Sequence, residues 1–190
     1  MFEQVPFIFY DLLKFQILVN FPHWVQVQWV PRIFVENPNR MIRPYVPTDF
    51  DALIHLLRLN TPAYFGAAEE PHFATFLKSD PTCFFVIERQ EMVVSCAGYR
   101  YQAATQTGQV SWFVFHPHYQ RQGLGKEMLQ YCLEGLREKA PEKIIVRTSQ
   151  LVEGIFAQAG FVTTLIDKDY WSPGYDLYLM ELKKAIPKPG

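Results

Sequence analysis

An apolar strand, a loop with two glycines and an amphipathic helix follow one another between residues 109 and 136, and this junction constrains the fold more than any other segment. The segment "QVSWFVFH" (109–116) is almost entirely apolar, which is typical of a strand covered on both faces. Apolar residues then recur at helical spacing, at Leu124, Met128, Leu129, Cys132, Leu133 and Leu136. The pattern predicts an interior strand that leads directly into a helix packed on the same sheet.

The loop between them, "QRQGLGK" (120–126), has the chemistry of an anion site. The first N–H groups of a helix are unpaired and carry partial positive charge, and glycines leave room for a ligand beside them. A phosphate or pyrophosphate would suit this position. The spacing matches neither a Walker loop, since Glu127 follows Lys126, nor a dinucleotide fingerprint, since position 128 is Met. Two interpretations remain: an anion-binding loop, or glycines that let the helix pack tightly on the strand.

Composition narrows the class of protein. A net charge of −1 over 190 residues argues against a general nucleic-acid binder, which needs a basic surplus. The longest uncharged run, residues 15–31, is too short and too polar for a membrane span. Three cysteines without a CxxC pattern favour reduced core thiols and a cytoplasmic location. We expect no metal.

The first forty residues differ from the rest, because they are rich in aromatic side chains. The segment "MIRPYVPTDFDAL", from Met41, is typical of the start of a compact domain. We therefore expect an N-terminal extension over 1–40, which a start codon placed too far upstream would also produce, a domain over 41–185 and a tail over 186–190. If the extension is native, its aromatics could cover a surface or pair with a second subunit in a homodimer.

Hydrophobic periodicity predicts the element order β-α-α-β-β-β-α-β-α-β-β. Thr48, with Asp51 three residues later, is the expected N-cap of the first helix. Gly98 lies inside a strand pattern and indicates a bulge or a close neighbour. Beyond the junction segment, the predicted strands are 41–45, 83–88, 92–101, 143–148, 160–166 and 175–182, and the predicted helices begin at Thr48 and cover 69–78 and 152–159.

The segments "VSWFVFHPHYQRQGLGKEML" and, more loosely, "GIFAQAGF" (154–161) resemble the GNAT superfamily of N-acetyltransferases over residues 41–185. The resemblance implies an α+β, three-layer fold: a mixed, mostly antiparallel central sheet of about seven strands, flanked by helices and split between the fourth and fifth strands. It also implies an acetyl-CoA-dependent enzyme that moves an acetyl group directly to an amine of a small molecule or peptide.

The same resemblance implies the acetyl-CoA contacts. Loop amides would bind the pyrophosphate, and the backbone of the preceding strand would hold the pantetheine arm and meet the charge that develops on the thioester oxygen. The implied residues are Phe113, Val114, Phe115, Arg121, Gln122, Gly123, Leu124, Gly125 and Lys126.

Two positions depart from the family pattern. Where the family usually carries a tyrosine that protonates the leaving thiolate, this chain has Phe156, which would pack in the core or against the arm. Where an asparagine contacts the arm, the nearest match is Ser149, which could instead cap a helix. Phe156 therefore keeps open a second function, a non-catalytic acyl-CoA-binding module.

No acid or base stands out among the titratable residues. The candidates are Glu88, Tyr99, Tyr101 and Ser149, with Tyr170 a further proton donor and Glu69 and Glu70 at a helix start. Deprotonating a lysine-like amine at neutral pH costs roughly 4–5 kcal/mol, but an α-amine only roughly 1 kcal/mol. A site without a strong base should therefore prefer α-amines.

The resemblance places the acceptor beside the loops 60–68 and 168–174. Their aromatic residues Tyr64, Phe65, Tyr170 and Trp171 would form a wall, and Asp167, Asp169, Glu69 and Glu70 would add negative charge. That combination suits a cation with an apolar body, although ordinary loop chemistry would give the same composition.

Overall fold

A computed structural model describes residues 41–79 and 81–183. The expected extension over 1–40 and the tail over 186–190 lie outside the described residues. The helices are α1 (Phe50–Arg58), α2 (Glu69–Lys78), α3 (Leu124–Arg137) and α4 (Glu153–Gln158). The strands are β1 (Met41–Pro44), β2 (Phe84–Arg89), β3 (Met92–Gln102), β4 (Thr107–Phe115), β5 (Lys143–Thr148), β6 (Phe161–Ser172) and β7 (Tyr175–Leu182). The predicted order of elements is therefore confirmed.

The strands form one sheet in the order β1-β2-β3-β4-β5-β7-β6. The pairing of β4 with β5 is parallel, and the other pairings of the described strands are antiparallel. This confirms the mixed, mostly antiparallel sheet of seven strands. Antiparallel neighbours need only short turns, whereas the parallel pair requires a crossover, which α3 supplies between β4 and β5.

Two apolar clusters cover the two faces of the sheet. On one face, the apolar side of α3 packs against β3, β4 and β5, and every α3 residue expected to face inward is buried. On the other face, α1 and α2 pack through Leu53, Leu57, Phe73 and Leu77. The three thiols are free: those of Cys96 and Cys132 are buried and that of Cys83 is partly buried. No helix within 41–79 and 81–183 has the length and apolarity needed to cross a membrane.

The start of the first helix differs from the prediction. A short 3₁₀ turn, Pro47–Asp49, precedes α1, and the Val46 N–H donates to the Asp49 carboxylate at 3.0 Å. The same carboxylate accepts two hydrogen bonds from Arg43, at 2.7 and 2.8 Å. Burial alone would raise the pKa of Asp49, but the bonds from Arg43 and Val46 outweigh it and hold this pKa below its usual value. The prediction of Thr48 as N-cap was wrong, because a charge-assisted network centred on Asp49 organises this turn.

Gly98 has both features that the strand pattern indicated. The pairing of β3 with β4 shifts register between Cys96 and Gly98, where β4 carries one extra residue. A Cβ at Gly98 would lie 2.6 Å from the Cys83 carbonyl oxygen and 2.6 Å from a ring carbon of Phe84. Trp112 lies in this irregular stretch of β4 and has a φ of +53°, so the strand forms a β-bulge at this point.

We expect Gly98→Ala to lower the free energy of unfolding by about 1–3 kcal/mol, because the Cβ meets backbone that cannot move aside. Gly154→Ala is the matched control: nothing lies within 4 Å of its Cβ position in α4. That change should stabilise the protein by up to about 1 kcal/mol. Urea denaturation of both variants checks the prediction, and equal stabilities would contradict it.

Candidate active site

The sheet opens between β4 and β5. The two strands pair only from Thr107 with Lys143 to Val110 with Val146, although β4 continues to Phe115 and β5 to Thr148. A cavity of about 1170 Å³ opens at this point and is lined by both strands. The unpaired stretches therefore form a slot through the sheet, as the family resemblance implied.

The slot explains why β4 is less covered than expected. Val110 and Val114 are buried, but Ser111, Trp112 and Phe113 are only partly buried. These three residues line the cavity. The prediction of a strand covered on both faces was therefore wrong for this middle stretch, because open space takes the place of packing.

The end of β4 presents backbone groups to the slot. The His116 N–H donates to the Val94 carbonyl of β3 at 2.8 Å. Because successive residues of a strand point their N–H and C=O groups to opposite edges, those of Phe115 face away from β3. The buried side chain of Asn60 donates to the Phe115 carbonyl at 3.0 Å and so ties the end of α1 to the end of β4. Our sequence analysis missed Asn60, because "NTP" after a helix is typical of an ordinary turn.

The loop before α3 leaves its first amides unused. Gly123, with a φ of +82°, precedes the helix, and the Glu127 N–H donates to its carbonyl. Within the described ranges, no group accepts a hydrogen bond from the N–H of Leu124, Gly125 or Lys126. These amides lie at the positive end of the helix dipole. The loop therefore has the donors and the charge of an anion site.

The two glycines are open rather than packed. Nothing lies within 4 Å of a Cβ at Gly123, and a Cβ at Gly125 would meet only the Phe115 ring, at 3.9 Å. The alternative interpretation, glycines that allow tight helix–strand packing, is contradicted by this space. What the missing side chains provide is room in front of the amides.

The residues expected to contact acetyl-CoA divide into two sets. Those that line the cavity are Phe113, Phe115, Arg121, Leu124, Gly125, Ser149 and Phe156. The others are Val114, buried against the α1–α2 layer, two exposed loop residues, Gln122 and Gly123, and Lys126, exposed in the first turn of α3. The Gln122 side chain accepts from Arg89 at 2.9 Å and donates to the His118 carbonyl at 2.9 Å, so it braces the loop.

Phe156 and Ser149 form part of the cavity wall. The Phe156 ring is buried between Phe113 and Phe161, with centroid distances of 5.4 and 5.8 Å. Ser149 follows the end of β5, and its carbonyl accepts from the N–H groups of Val152 and Glu153. The N-cap of α4 is Val152, and no side chain caps it. The interpretation of Ser149 as a helix cap is therefore wrong, whereas a contact with acetyl-CoA stays a prediction.

The other acid and base candidates lie in different places. The Glu88 carboxylate accepts from Arg43 at 2.9 Å near the β1 edge, and it does not line the cavity. Tyr99 is stacked on Phe85 in the core, and burial raises the pKa of its hydroxyl well above the usual value. Tyr101 lines the cavity opposite Gly108, where β4 and β5 still pair. Tyr99 and Tyr101 therefore both line the cavity, whereas Glu88 does not.

The two loops expected to hold the acceptor meet at the cavity. The Tyr175 hydroxyl donates to the Pro62 carbonyl at 2.7 Å and joins the β6–β7 turn to the loop after α1. Tyr64, Phe65 and Trp171 line the cavity. Tyr170 is 46% exposed and instead packs on Trp171, with ring centroids 4.9 Å apart. Three of the four predicted wall residues are therefore brought together.

Glu69 also lines this part of the cavity. Its carboxylate accepts from the Gly66 N–H at 2.9 Å, and burial raises its pKa above the usual value. The neighbouring Glu70 differs, since Arg58 binds its carboxylate at the surface. The two acids are neighbours in the sequence, where only a turn glycine three residues before Glu69 hints at the difference between them.

The fold is that of N-acetyltransferases. A ribosomal-protein-alanine N-acetyltransferase from Brucella melitensis is 18% identical, covers 76% of this chain and 99% of its own, and has a TM-score of 0.60. A Salmonella typhimurium protein solved with its cofactor acetyl-CoA is 17% identical, covers 80% and 99%, and has a TM-score of 0.61. An aminoglycoside 6'-N-acetyltransferase complexed with coenzyme A is 14% identical, covers 78% and 99%, and has a TM-score of 0.63.

The sequence itself matches the model of the acetyltransferase (GNAT) family over residues 50–161. The chain therefore belongs to the GNAT acetyltransferase family. The match extends from the start of α1 to the start of β6 and so includes β4, the glycine loop and the slot. No curated protein matches the chain.

Proposed function

We propose that this protein uses acetyl-CoA to acetylate an amine of a small molecule or peptide by direct transfer. The observation that carries the proposal is the slot between β4 and β5, which opens beside the unused amides at the start of α3. The coenzyme-bound structures of the two relatives support it.

The residues present fit acetyl-CoA. The N–H groups of Leu124, Gly125 and Lys126 would bind the pyrophosphate, and the exposed side chains of Arg121 and Lys126 add positive charge. The open edge of β4 would hold the pantetheine arm between the strands, above the Phe156 ring. Acetyl-CoA supplies a thioester whose acetyl group is the one transferred.

The backbone of β4 would stabilise the charge that develops on the thioester oxygen. The Phe115 N–H faces the slot and belongs to a strand end braced by Asn60, so its direction is set before substrate binds. One such preorganised donor contributes about 3 kcal/mol to lowering the barrier. Because the backbone provides this group, the bulky side chains of β4 are compatible with catalysis.

We assign the base to Glu69. Its partly buried side chain lines the same cavity as Tyr64, Phe65 and Trp171, beside which we expect the amine to enter. Because burial raises its pKa, it is a better proton acceptor than an ordinary glutamate. The leaving thiolate needs no strong acid, since thiols have pKa values near 8.5. This accounts for a phenylalanine at position 156.

The free thiols favour a reducing compartment such as the cytoplasm. Cys83, Cys96 and Cys132 are unpaired, and the burial that raises the pKa of the Cys96 and Cys132 thiols also makes them unreactive. Their role is packing on the two faces of the sheet.

The test is an amine panel with the full-length chain and acetyl-CoA, followed by mass spectrometry of the acetylated product. Peptides with a free α-amine should be acetylated faster than the same peptides with a blocked terminus and a free lysine, because the α-amine is easier to deprotonate. A clear lysine preference would contradict this order. Tight acetyl-CoA binding without turnover of any amine would favour the acyl-CoA-binding module instead.

A further inference from the structure

Arg147 of β5 is a cation in the cavity that the proposed reaction does not yet use. The alternating neighbours Ile144 and Val146 pack in the α3 cluster, so the side chain of Arg147 points to the opposite face of the sheet. There its guanidinium lies 5.0 Å from the centroid of the Tyr170 ring and 5.5 Å from that of Trp171. The Trp171 indole N–H donates to the Thr148 carbonyl at 3.3 Å, which fixes this ring.

The Arg147 guanidinium contacts aromatic rings with its flat faces, and its N–H groups, which lie along its edges, are not used in these contacts. In the part of the chain that the structure describes, no carboxylate or carbonyl accepts a hydrogen bond from Arg147, whereas Arg43, Arg58, Arg89 and Arg100 each donate to another side chain. Aromatic faces attract the cation but leave its five N–H donors unused. A half-buried guanidinium with free edges is a two-pronged site for a carboxylate.

A side chain of opposite charge, Glu69, lines the same cavity. A Cβ at Gly66 would be 3.9 Å from the Glu69 Oε1 and 3.9 Å from the Ser172 Oγ, so both side chains approach the loop at Gly66. Ser172 directly follows Trp171, the ring that packs on Arg147. The cavity lining therefore includes one partly buried acid, aromatic rings, and one cation that donates to no carboxylate of the described residues.

We propose that the acceptor is a molecule with an amine and a carboxylate on the same carbon, an α-amino acid or the like, whose carboxylate binds Arg147 while its amine meets Glu69. This inference rests on the proposed function and adds the substrate class. Coenzyme phosphates are a poorer match for Arg147, because the phosphate-binding amides belong to α3, and α3 packs on the other face of the sheet. The aromatic residues Tyr64, Phe65 and Trp171 leave an apolar wall for the acceptor's side chain.

The experiment compares free amino acids with their carboxamides as acceptors. Converting the carboxylate to an amide removes the negative charge and also makes the amine less basic. If the enzyme did not recognise the carboxylate, the amide would therefore react faster, because its amine is more easily deprotonated. We expect the free acids to have a kcat/KM higher by roughly 10- to 100-fold, the effect of one charge-assisted pair.

Variants of Arg147 separate this site from the coenzyme site. Arg147→Gln should raise the KM for the free acid by roughly 10- to 100-fold and leave the KM for acetyl-CoA unchanged, and Arg147→Lys should fall between the two. Arg137→Gln makes the same charge change at the exposed end of α3 and should have no effect. Thermal melts establish that each variant is folded.

Equal or faster acetylation of the amides would overturn the inference and leave the proposed function standing. The same holds if Arg147→Gln changes the KM for acetyl-CoA rather than that for the acceptor. Should Arg147→Gln fail to fold, the acid–amide comparison with the unaltered protein and with Arg147→Lys still decides. Acetylation of no amine at all would overturn the proposed function and this inference with it.

Discussion

Gly125→Glu is expected to weaken acetyl-CoA binding at least about 100-fold, which corresponds to losing roughly two charge-assisted hydrogen bonds. The new side chain would occupy the space in front of the α3 amides and would bring a negative charge to the place where we expect the pyrophosphate. The fold should tolerate the change, because among the described residues a Cβ at this position meets only the Phe115 ring, at 3.9 Å. Glutamate in the first turn of a helix is also favourable.

Isothermal titration with acetyl-CoA measures this effect, and Gln130→Glu provides the control. It makes the same charge change at an exposed position further along α3, where the Gln130 side chain donates to Glu134 at 2.8 Å. Its affinity for acetyl-CoA should equal that of the unaltered protein within about twofold. If Gly125→Glu binds acetyl-CoA as tightly as the control does, the loop is not the pyrophosphate site.

Glu69→Gln is expected to lower kcat by roughly 10²- to 10⁴-fold, the usual contribution of a positioned general base. Glutamine keeps the shape of the side chain and can still accept from the Gly66 N–H, so the loop should be preserved. Glu70→Gln is the matched control, because this neighbour is bound to Arg58 at the surface. Steady-state kinetics on the best amine of the panel compares the two variants, and equal rates would remove Glu69 from the reaction.

The pH dependence gives an independent check on Glu69. A base acts when deprotonated, so kcat/KM should fall as the pH drops through the raised pKa of Glu69, and Glu69→Gln should lack this limb. The free energy of unfolding should depend on pH in the opposite sense and fall as the pH rises. Because the folded-state pKa is raised above its unfolded value, the stability contribution of Glu69 is fully present below the unfolded pKa and is lost as the pH rises through the folded one. At neutral pH, Glu69→Gln should therefore be at least as stable as the unaltered protein.

The order of strands and helices could be predicted because local periodicity determines it. The buried face of α3 and the bounds of α2, β5 and β7 agree with the sequence patterns. The length of β6 does not, since the strand continues to Ser172 and not only to residue 166. Its last residues, "DKDYWS", are mostly polar and contain an irregular pairing with a φ of +55° at Asp169, which in sequence is indistinguishable from a turn.

The candidate site was predictable where it depends on backbone and not where it depends on distant contacts. The glycine loop has a local signature, because exposed amides and missing side chains both follow from the sequence. The burial of Glu69 depends on how its loop packs in the folded chain. The unused N–H groups of Arg147 depend on where the carboxylates of the described residues lie. Neither property can be derived from neighbouring residues.

Because β4 and β5 pair over a short stretch, binding of acetyl-CoA could affect binding of the acceptor. The sheet is joined across the slot by four residue pairs, so it consists of two half-sheets with a narrow seam. Glu69 begins α2 and Tyr64 lies in the loop before it, in the layer of helices packed on the strands up to β4, whereas Arg147 and Trp171 lie in β5 and β6. Acetyl-CoA bound between β4 and β5 would thus determine the distance between Glu69 and Arg147. That distance would in turn limit the size of the acceptor that can bind both residues.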